Sequence, residues 1–357
     1  MKLIHCSDLH LDSPMGTHLG REKARGRNLE IVNTFTRLTE YAEKNGVGAV
    51  LIAGDLFDGE RVSQRTVDEV FRAVSATPGV EYLYVPGNHD ETASVLSGGQ
   101  SPKNFKQIGD RWETFSFDGV SVSGIMITEE NAVSLYEQLP EPEEGLHIVM
   151  LHGQTGTAAG TDQVNLNLLK GRGIDYLALG HLHSYTKAAL DERGVYCYCG
   201  CLEGRGFDEC GEKGFVLLDA EDGRLRSRFV PFARRTLHRV SVNVTGLMTD
   251  AEAYSAMLES AKEIGRENMV EFELTGETDP RARISAEHLR GLAGQEFFFA
   301  SVKDRTRLAV RPEDYQNDIS LKGEFIRLVL ASGADEADQA RIIRAGLEAL
   351  SGEEVIL

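Results

Sequence analysis

No apolar run in these 357 residues approaches the roughly 18–20 needed to cross a bilayer. The opening stretch MKLIHCSDLH reaches Asp8 too early for a signal peptide, so the expectation is a cytoplasmic protein without membrane contact. Cysteine is scarce and odd in number: Cys6, Cys197, Cys199, Cys201 and Cys210. A chain this long needs no disulfide staples, and reduced thiols fit best. CYCGC (197–201) has C-x-C-x-C spacing rather than the C-x-x-C of structural zinc sites, and on a strand its thiols would share one face. Positive charge is also short, with 38 Lys and Arg against 56 Asp and Glu for a net charge of −18. That argues against bulk attraction to nucleic acid, leaving only local or partner-shared contact with a polyanion. Bound divalent cations would offset such charge locally. Internal repeats and low-complexity tracts are absent.

What is present is an alternation of two periods. KLIHCS (2–7), GAVLIAG (48–54), VEYLYVPG (80–87), LHIVMLHG (146–153) and IDYLALG (174–180) read as strands. Residues 28–45, 63–76 and 130–138 read as helices, and shorter strands are expected near 113–125, 194–199, 214–219 and 225–231. Strands mixed with helices in this way suggest sheets covered by helices, an α/β class. A break falls near VPFARRT (230–236). Beyond it the rhythm is strand (237–245), helix (250–263), strand (268–275), helix (285–293), strand (296–303), then a helical end over 312–351. The expected divisions are therefore 1–232, a small α/β module at 233–310, and a helical segment at 311–357.

The chemistry gathers where the apolar strands stop. SDLH (7–10), GDLFD (54–58), GNHDE (87–91), LHG (151–153) and GHLH (180–183) follow five consecutive strands of this kind. Strand C-terminal ends are where α/β folds build their sites. Singly, Asp55 reads as a turn former, His152 as a structural histidine and Asn88 as a turn residue. His181 and His183, two apart on an extended chain, would face the same way. Five such motifs at equivalent positions are hard to explain as coincidence. Seven candidate ligands result: Asp8, His10, Asp55, Asn88, His152, His181 and His183. Mixed carboxylate, amide and imidazole donors suit Mn²⁺, Fe²⁺ or Zn²⁺ better than Ca²⁺ or structural zinc. One ion would leave donors idle; two ions about 3.5–4 Å apart, sharing one carboxylate, would use them all.

In this order D-x-H, G-D-x-x-D, G-N-H-D, H-G and G-H-x-H resemble the calcineurin-like metallophosphoesterase superfamily, over about residues 1–230. HCSDLHLDSP, AGDLFDG and VPGNHDE are similar to the SbcD-type DNA repair exonuclease branch. YCGCLEGRGFDECGEKG (198–214) is similar to the YhaO-type bacterial subgroup. The nuclease branch commonly has Tyr-Pro-Gly-Ser where this chain has Tyr198-Cys199-Gly200-Cys201. The resemblance implies a four-layer α-β-β-α sandwich of two mixed sheets, a smaller C-terminal capping module and a helical tail. It implies two divalent metals, with Mn²⁺ expected and Fe²⁺, Zn²⁺ or Mg²⁺ as the other options. Asp8, His10, Asp55 and His183 would hold one; Asp55, Asn88, His152 and His181 the other. His89 would face the scissile phosphate and assist the leaving group, oriented by Asp90. Arg205, in LEGRGFDE, could touch a phosphate but reads first as a surface or structural arginine, and Phe57 and Asp58 read as packing and loop anchoring.

A water bridging two cations supplies hydroxide near neutral pH, and the cations meet charge growing on phosphate. The expectation is a DNA exonuclease, 3′ to 5′, acting also on single strands, in DNA repair. By the same resemblance its partners are DNA, an SMC-like coiled-coil ATPase docked on the C-terminal helices, and a second copy of the chain. The competing readings are a small-molecule phosphodiesterase or phosphoprotein phosphatase on the same site, and a non-catalytic adaptor of the ATPase. The intact ligand set argues against the adaptor.

Overall fold

A computed structural model describes residues 1–15, 19–59, 62–88, 90, 101–141, 145–158, 160–279, 282–309 and 317–351. The chain divides into two compact units, Met1–Thr236 and Leu237–Leu357. No helix among the described residues is long and apolar enough to cross a membrane.

In the first unit β1 (Lys2–Cys6), β2 (Val47–Ala53), β3 (Glu81–Val85) and β4 (Phe105–Gln107) run parallel side by side. Two long antiparallel strands extend this sheet beyond β1. With β5 (Glu113–Phe117), β6 (Val120–Gly124), β7 (Leu146–His152), β8 (Gln154–Gly156), β9 (Gln163–Asn165), β10 (Tyr176–Gly180), β11 (Thr186–Ala189) and β12 (Val195–Tyr198) in between, they are β13 (Gly214–Glu221) and β14 (Arg224–Pro231). The first sheet has the order β14-β13-β1-β2-β3-β4; the second is β11-β12-β10-β7-β6-β5, with a parallel centre and antiparallel edges.

Alternation within the strands decides the layers. Leu3, Ala49, Leu51, Leu83 and Val85 point from the first sheet onto Val122, Ile148, Met150, Tyr176 and Ala178 of the second. The opposite face, with Ile4, Val50, Ile52, Tyr82 and Tyr84, is covered by α1 (Arg21–Lys44) and α2 (Gln64–Ser75). The α1 helix begins well before residue 28 because Arg21–Arg27 carries helix-forming but mostly polar residues, which leave no apolar period to read. Its buried stripe is Ile31, Val32, Phe35, Leu38 and Ala42. Ser63 caps α2 by accepting from the Thr66 amide.

The outer face of the second sheet differs from the helix expected at 130–138. That segment forms one 3₁₀ turn, Ser134–Tyr136, preceded by Asn131, whose side chain accepts from Thr128 N and donates to the Met126 carbonyl. Leu135, Tyr136 and Leu139 still reach Val149, Leu151, Leu177 and Leu179, so a short turn provides the cover that a helix was expected to give. The five cysteines are free, and all but Cys210 are buried.

The second unit has its own core. Three parallel strands, β15 (Leu237–Asn243), β16 (Met269–Thr275) and, after the two-residue β17 (Glu277–Thr278), β18 (Phe299–Asp304), are joined through helices Asp250–Ser260 and Ala286–Glu296. Thr249 and Glu252 make a reciprocal capping box on the first of these helices. Val242, Met257, Phe272, Leu289 and Ala293 pack together between helices and sheet. The last two helices, Leu321–Leu330 and Glu336–Ser351, meet through Ile326, Val329, Ile343 and Leu347.

Candidate metal centre

The loops that leave β1 and β2 run side by side. Asp8 N donates to the Gly54 carbonyl at 3.1 Å, His10 N to Asp55 O at 2.9 Å and Leu11 N to Leu56 O at 3.0 Å. This pairing places Asp8 beside Asp55. The second sheet joins at its own strand ends, where Gly180 is in register with His152 and the His181 amide donates to Asp8 Oδ1 at 2.9 Å. Among the described residues, four of the seven non-glycine residues with positive φ are candidate ligands: Asp8 (53°), His10 (44°), Asp55 (50°) and His181 (109°). Such backbone costs of order 1–3 kcal/mol each and persists where the surroundings enforce it. Glycine gives the clearance. A Cβ on Gly54, itself at φ 89°, would lie 1.9 Å from His152 Nδ1, and one on Gly180 would lie 1.8 Å from the Ala53 carbonyl oxygen.

All seven candidate ligands come together, in two groups that meet at the carboxylates. His10 and His183 turn their Nε2 atoms towards each other at 3.2 Å, with Asp8 Oδ1 3.9 Å from His183 Nε2. His152 Nε2 lies 2.9 Å from Asn88 Oδ1, and its ring meets His181 edge-on at 5.5 Å between centroids. Asp55 Oδ2 stands between the groups, 3.6 Å from His10 Nε2 and 3.5 Å from His152 Nε2. Asp8, His10 and His183 each offer a ligand atom within 4.8 Å of one another, and so do Asp8, Asp55 and His152. No cysteine enters such a group among the described residues. Asp8, Asp55, His10 and His152 are almost wholly buried.

Behind this donor set lies a second layer that sequence reasoning missed. Glu209 Oε1 is 2.6 Å from His183 Nδ1, Asp58 Oδ1 is 3.3 Å from His10 Nδ1, and Arg205 lies between the two carboxylates. Asp58, expected to anchor its loop, therefore touches the candidate ligand His10 directly, and Arg205 touches the carboxylates behind His10 and His183. Nothing periodic marks Glu209; it sits in an irregular loop anchored elsewhere. That anchor is Arg27, fully buried on α1, which donates to Glu203 and to the Gly204 carbonyl. Asp90 accepts from the amides of Gly87 (2.9 Å), Phe57 (3.0 Å) and Leu56 (3.3 Å), so it ties the loop after β3 to the loop after β2. His89 lies outside the described residues.

The electrostatics follow from these contacts. Burial works against charge on His183, but Glu209 and Asp8 outweigh it and hold the imidazole above its ordinary range. Burial also opposes charge on Glu209, yet His183 and Arg205 hold it far below the usual carboxylate range. Contact with His10 does the same for Asp58. Burial, and next the nearby His152, push His181 down. Burial pushes Asp90 up despite its amide partners.

The donors fit a cation. His152 Nδ1 lies 3.0 Å from the Ala53 carbonyl, which can only accept, so that nitrogen carries the proton. In the neutral ring, Nε2 then presents a lone pair to Asn88 Oδ1 and Asp55 Oδ2, which are acceptors as well. When both rings are neutral, His10 and His183, each with Nδ1 against a carboxylate, likewise turn lone pairs on each other. Lone pairs converging in a buried site repel unless a positive charge lies among them.

Comparison with known proteins agrees with this geometry. The family model for calcineurin-like phosphoesterases matches residues 1–185. The metallophosphoesterase YhaO of Bacillus subtilis is 26% identical over 262 residues, which covers 69% of this chain and 64% of YhaO. The DNA double-strand break repair protein Mre11 of Saccharolobus solfataricus is 27% identical over 243 residues, covering 61% of this chain and 60% of that protein. The chain thus spans less than two thirds of the length of these two relatives. The SbcD component of the nuclease SbcCD of Escherichia coli K12 is 22% identical, with 99% of each chain covered. A phosphoesterase match over more than half the chain, on a two-sheet fold whose strand ends gather such donors, places this chain in the calcineurin-like phosphoesterase family.

Proposed function

We propose that the chain is a two-metal phosphodiesterase that cuts DNA. The observation that carries this reading is the convergence of lone pairs around Asp55, which lies between two imidazole groups. Asp8, His10, Asp55 and His183 would hold one divalent ion; Asp55, Asn88, His152 and His181 the other. Mn²⁺ is the favoured ion for this oxygen and nitrogen donor set. Such ions lower the pKa of water towards 7 and offset charge on a phosphate. The chain's own residues do the rest. The strained loops after β1 and β2 hold both carboxylates in place before substrate arrives. Asp90 fixes the loop that carries Asn88 and His89. His89, outside the described residues, is assigned the proton for the leaving 3′ oxygen, oriented by Asp90.

DNA as substrate, with 3′ to 5′ polarity and action on single strands, is supported by relatives named as a repair protein and a nuclease component. An SMC-like ATPase as partner is supported by exposed Leu321 and Leu328 on the first of the two C-terminal helices. We assign residues 233–310 to positioning nucleic acid and 311–357 to that partner; dimerisation and a cytoplasmic location belong to the same reading.

The test is turnover by pure protein, with Mn²⁺ or Mg²⁺, of labelled duplex, single-stranded and hairpin DNA beside a generic phosphodiester. DNA cleavage that stops on chelation is expected. Turnover of the generic diester with no cleavage of any DNA would replace this reading by a small-molecule phosphodiesterase.

A further inference from the structure

The two halves of the donor set are braced differently. Behind His10 and His183 stand carboxylates: Asp58 Oδ1 at 3.3 Å from one Nδ1 and Glu209 Oε1 at 2.6 Å from the other. They come from loops far apart in the chain, and Arg205 spans them. One guanidinium nitrogen lies 2.9 Å from Glu209 Oε1 and another 3.7 Å from Asp58 Oδ2. The Arg205 amide donates to Glu209 Oε2 at 2.7 Å, so both oxygens of Glu209 are engaged. Behind His152, among the described residues, stands only the Ala53 carbonyl, at 3.0 Å. The ring of His181 makes no hydrogen bond among the described residues and meets His152 edge-on.

This difference has a chemical consequence. A carboxylate behind an imidazole fixes the Nδ1–H tautomer and raises the basicity of the opposite nitrogen more than a neutral carbonyl does. Glu209 is almost fully buried, and a buried carboxylate is costly unless paired. Arg205 supplies the pairing and joins the two carboxylates into one unit. Its guanidinium is engaged there, which leaves it a positioning residue rather than a phosphate contact.

We propose that Asp58, Arg205 and Glu209 form a clamp that makes the position at Asp8, His10 and His183 the tighter of the two cation sites. The inference rests on the two-cation reading above and assigns an order to it: the clamped site fills first, and the site at Asn88, His152 and His181 fills and empties as metal supply changes.

The experiment is a Mn²⁺ titration of the full chain, following bound metal by calorimetry and free Mn²⁺ by electron paramagnetic resonance. The unsubstituted protein should show two classes of unequal affinity. His181→Ala should abolish the weaker class. In that background Glu209→Gln, which keeps the side chain's size, should weaken the remaining class about 10- to 100-fold. In a His183→Ala background, the same Glu209→Gln change should leave the remaining affinity where it was. Asp58→Asn provides the same comparison if Glu209→Gln fails to fold. In the otherwise unsubstituted protein, the Mn²⁺ needed for half-maximal turnover should rise with Glu209→Gln, and excess Mn²⁺ should restore kcat. Fewer than two ions on the unsubstituted protein would sink the two-cation reading itself. Two ions of equal affinity, or equal losses in both backgrounds, would leave that reading standing and overturn the clamp.

Discussion

His181 and His183 show what one residue's backbone decides. Two residues apart on an extended chain, they would aim the same way and grip one ion. His181 instead adopts φ 109°, its amide reaches Asp8, and the two rings part: His181 against His152, His183 against His10. His181→Ala and His183→Ala are therefore expected to weaken different metal positions, read by anomalous scattering from Mn²⁺ in crystals of each variant; loss of the same position in both would refute the assignment. His89→Ala should keep both metals and lose turnover by about 10²–10⁴-fold, the usual range for a lost general acid. Elemental analysis beside a diester assay checks it, and undiminished turnover would remove His89 from the mechanism. The convergence of the seven candidate residues was legible in the sequence because each follows the end of an apolar strand. Glu209 was not, since nothing local in the loop that carries it foretells the approach of His183 from the loop after β10.

Among the elements, strands with continuous apolar runs were the easiest to read, and their ends fix the site. Gly180 ends β10 where a Cβ would meet Ala53 backbone, the His152 ring and Ser7. Gly180→Ala should consequently pull the two sheets out of their seam and cost about 1–3 kcal/mol by overpacking, measured by urea denaturation. A neutral result would mean that the seam yields easily. Elements held by long-range packing were harder to read. The start of α1 has no apolar period, and the cover over residues 130–138 is a turn anchored by Asn131 rather than a helix. In the C-terminal helical pair the apolar stripe divides: Ile343 is 1% exposed and Leu328 63%. Ile343→Ala should cost about 2–4 kcal/mol, whereas Leu328→Ala should change stability by less than about 0.5 kcal/mol. Equal costs at the two positions would show that the exposed half of the stripe is also core.

At the scale of the molecule, an α/β class was legible because the central strands are buried on both faces; the two-sheet sandwich followed from the family resemblance, and the strand order within each sheet was not legible. Such burial also traps titratable groups. His5, inside the first unit and 2.9 Å from the Tyr176 hydroxyl, is pushed by burial down to about 3. The unfolded chain takes up that proton near pH 6.5, so the folded state loses stability as pH falls from 6.5 towards 3. By pH 5 the loss is on the order of 2 kcal/mol from this group. His5→Leu should flatten the fall in stability between pH 7.5 and 5; an unchanged slope would assign the acid sensitivity to other groups. In the proposed function, two divalent ions share Asp55 between the imidazole groups. Anomalous diffraction from crystals grown with Mn²⁺ tests it most directly. Two peaks are expected, one against His10 and His183 and the other against His152 and His181, with Asp55 touching both. A single peak, or one ion gripped by His181 and His183 together, would contradict it.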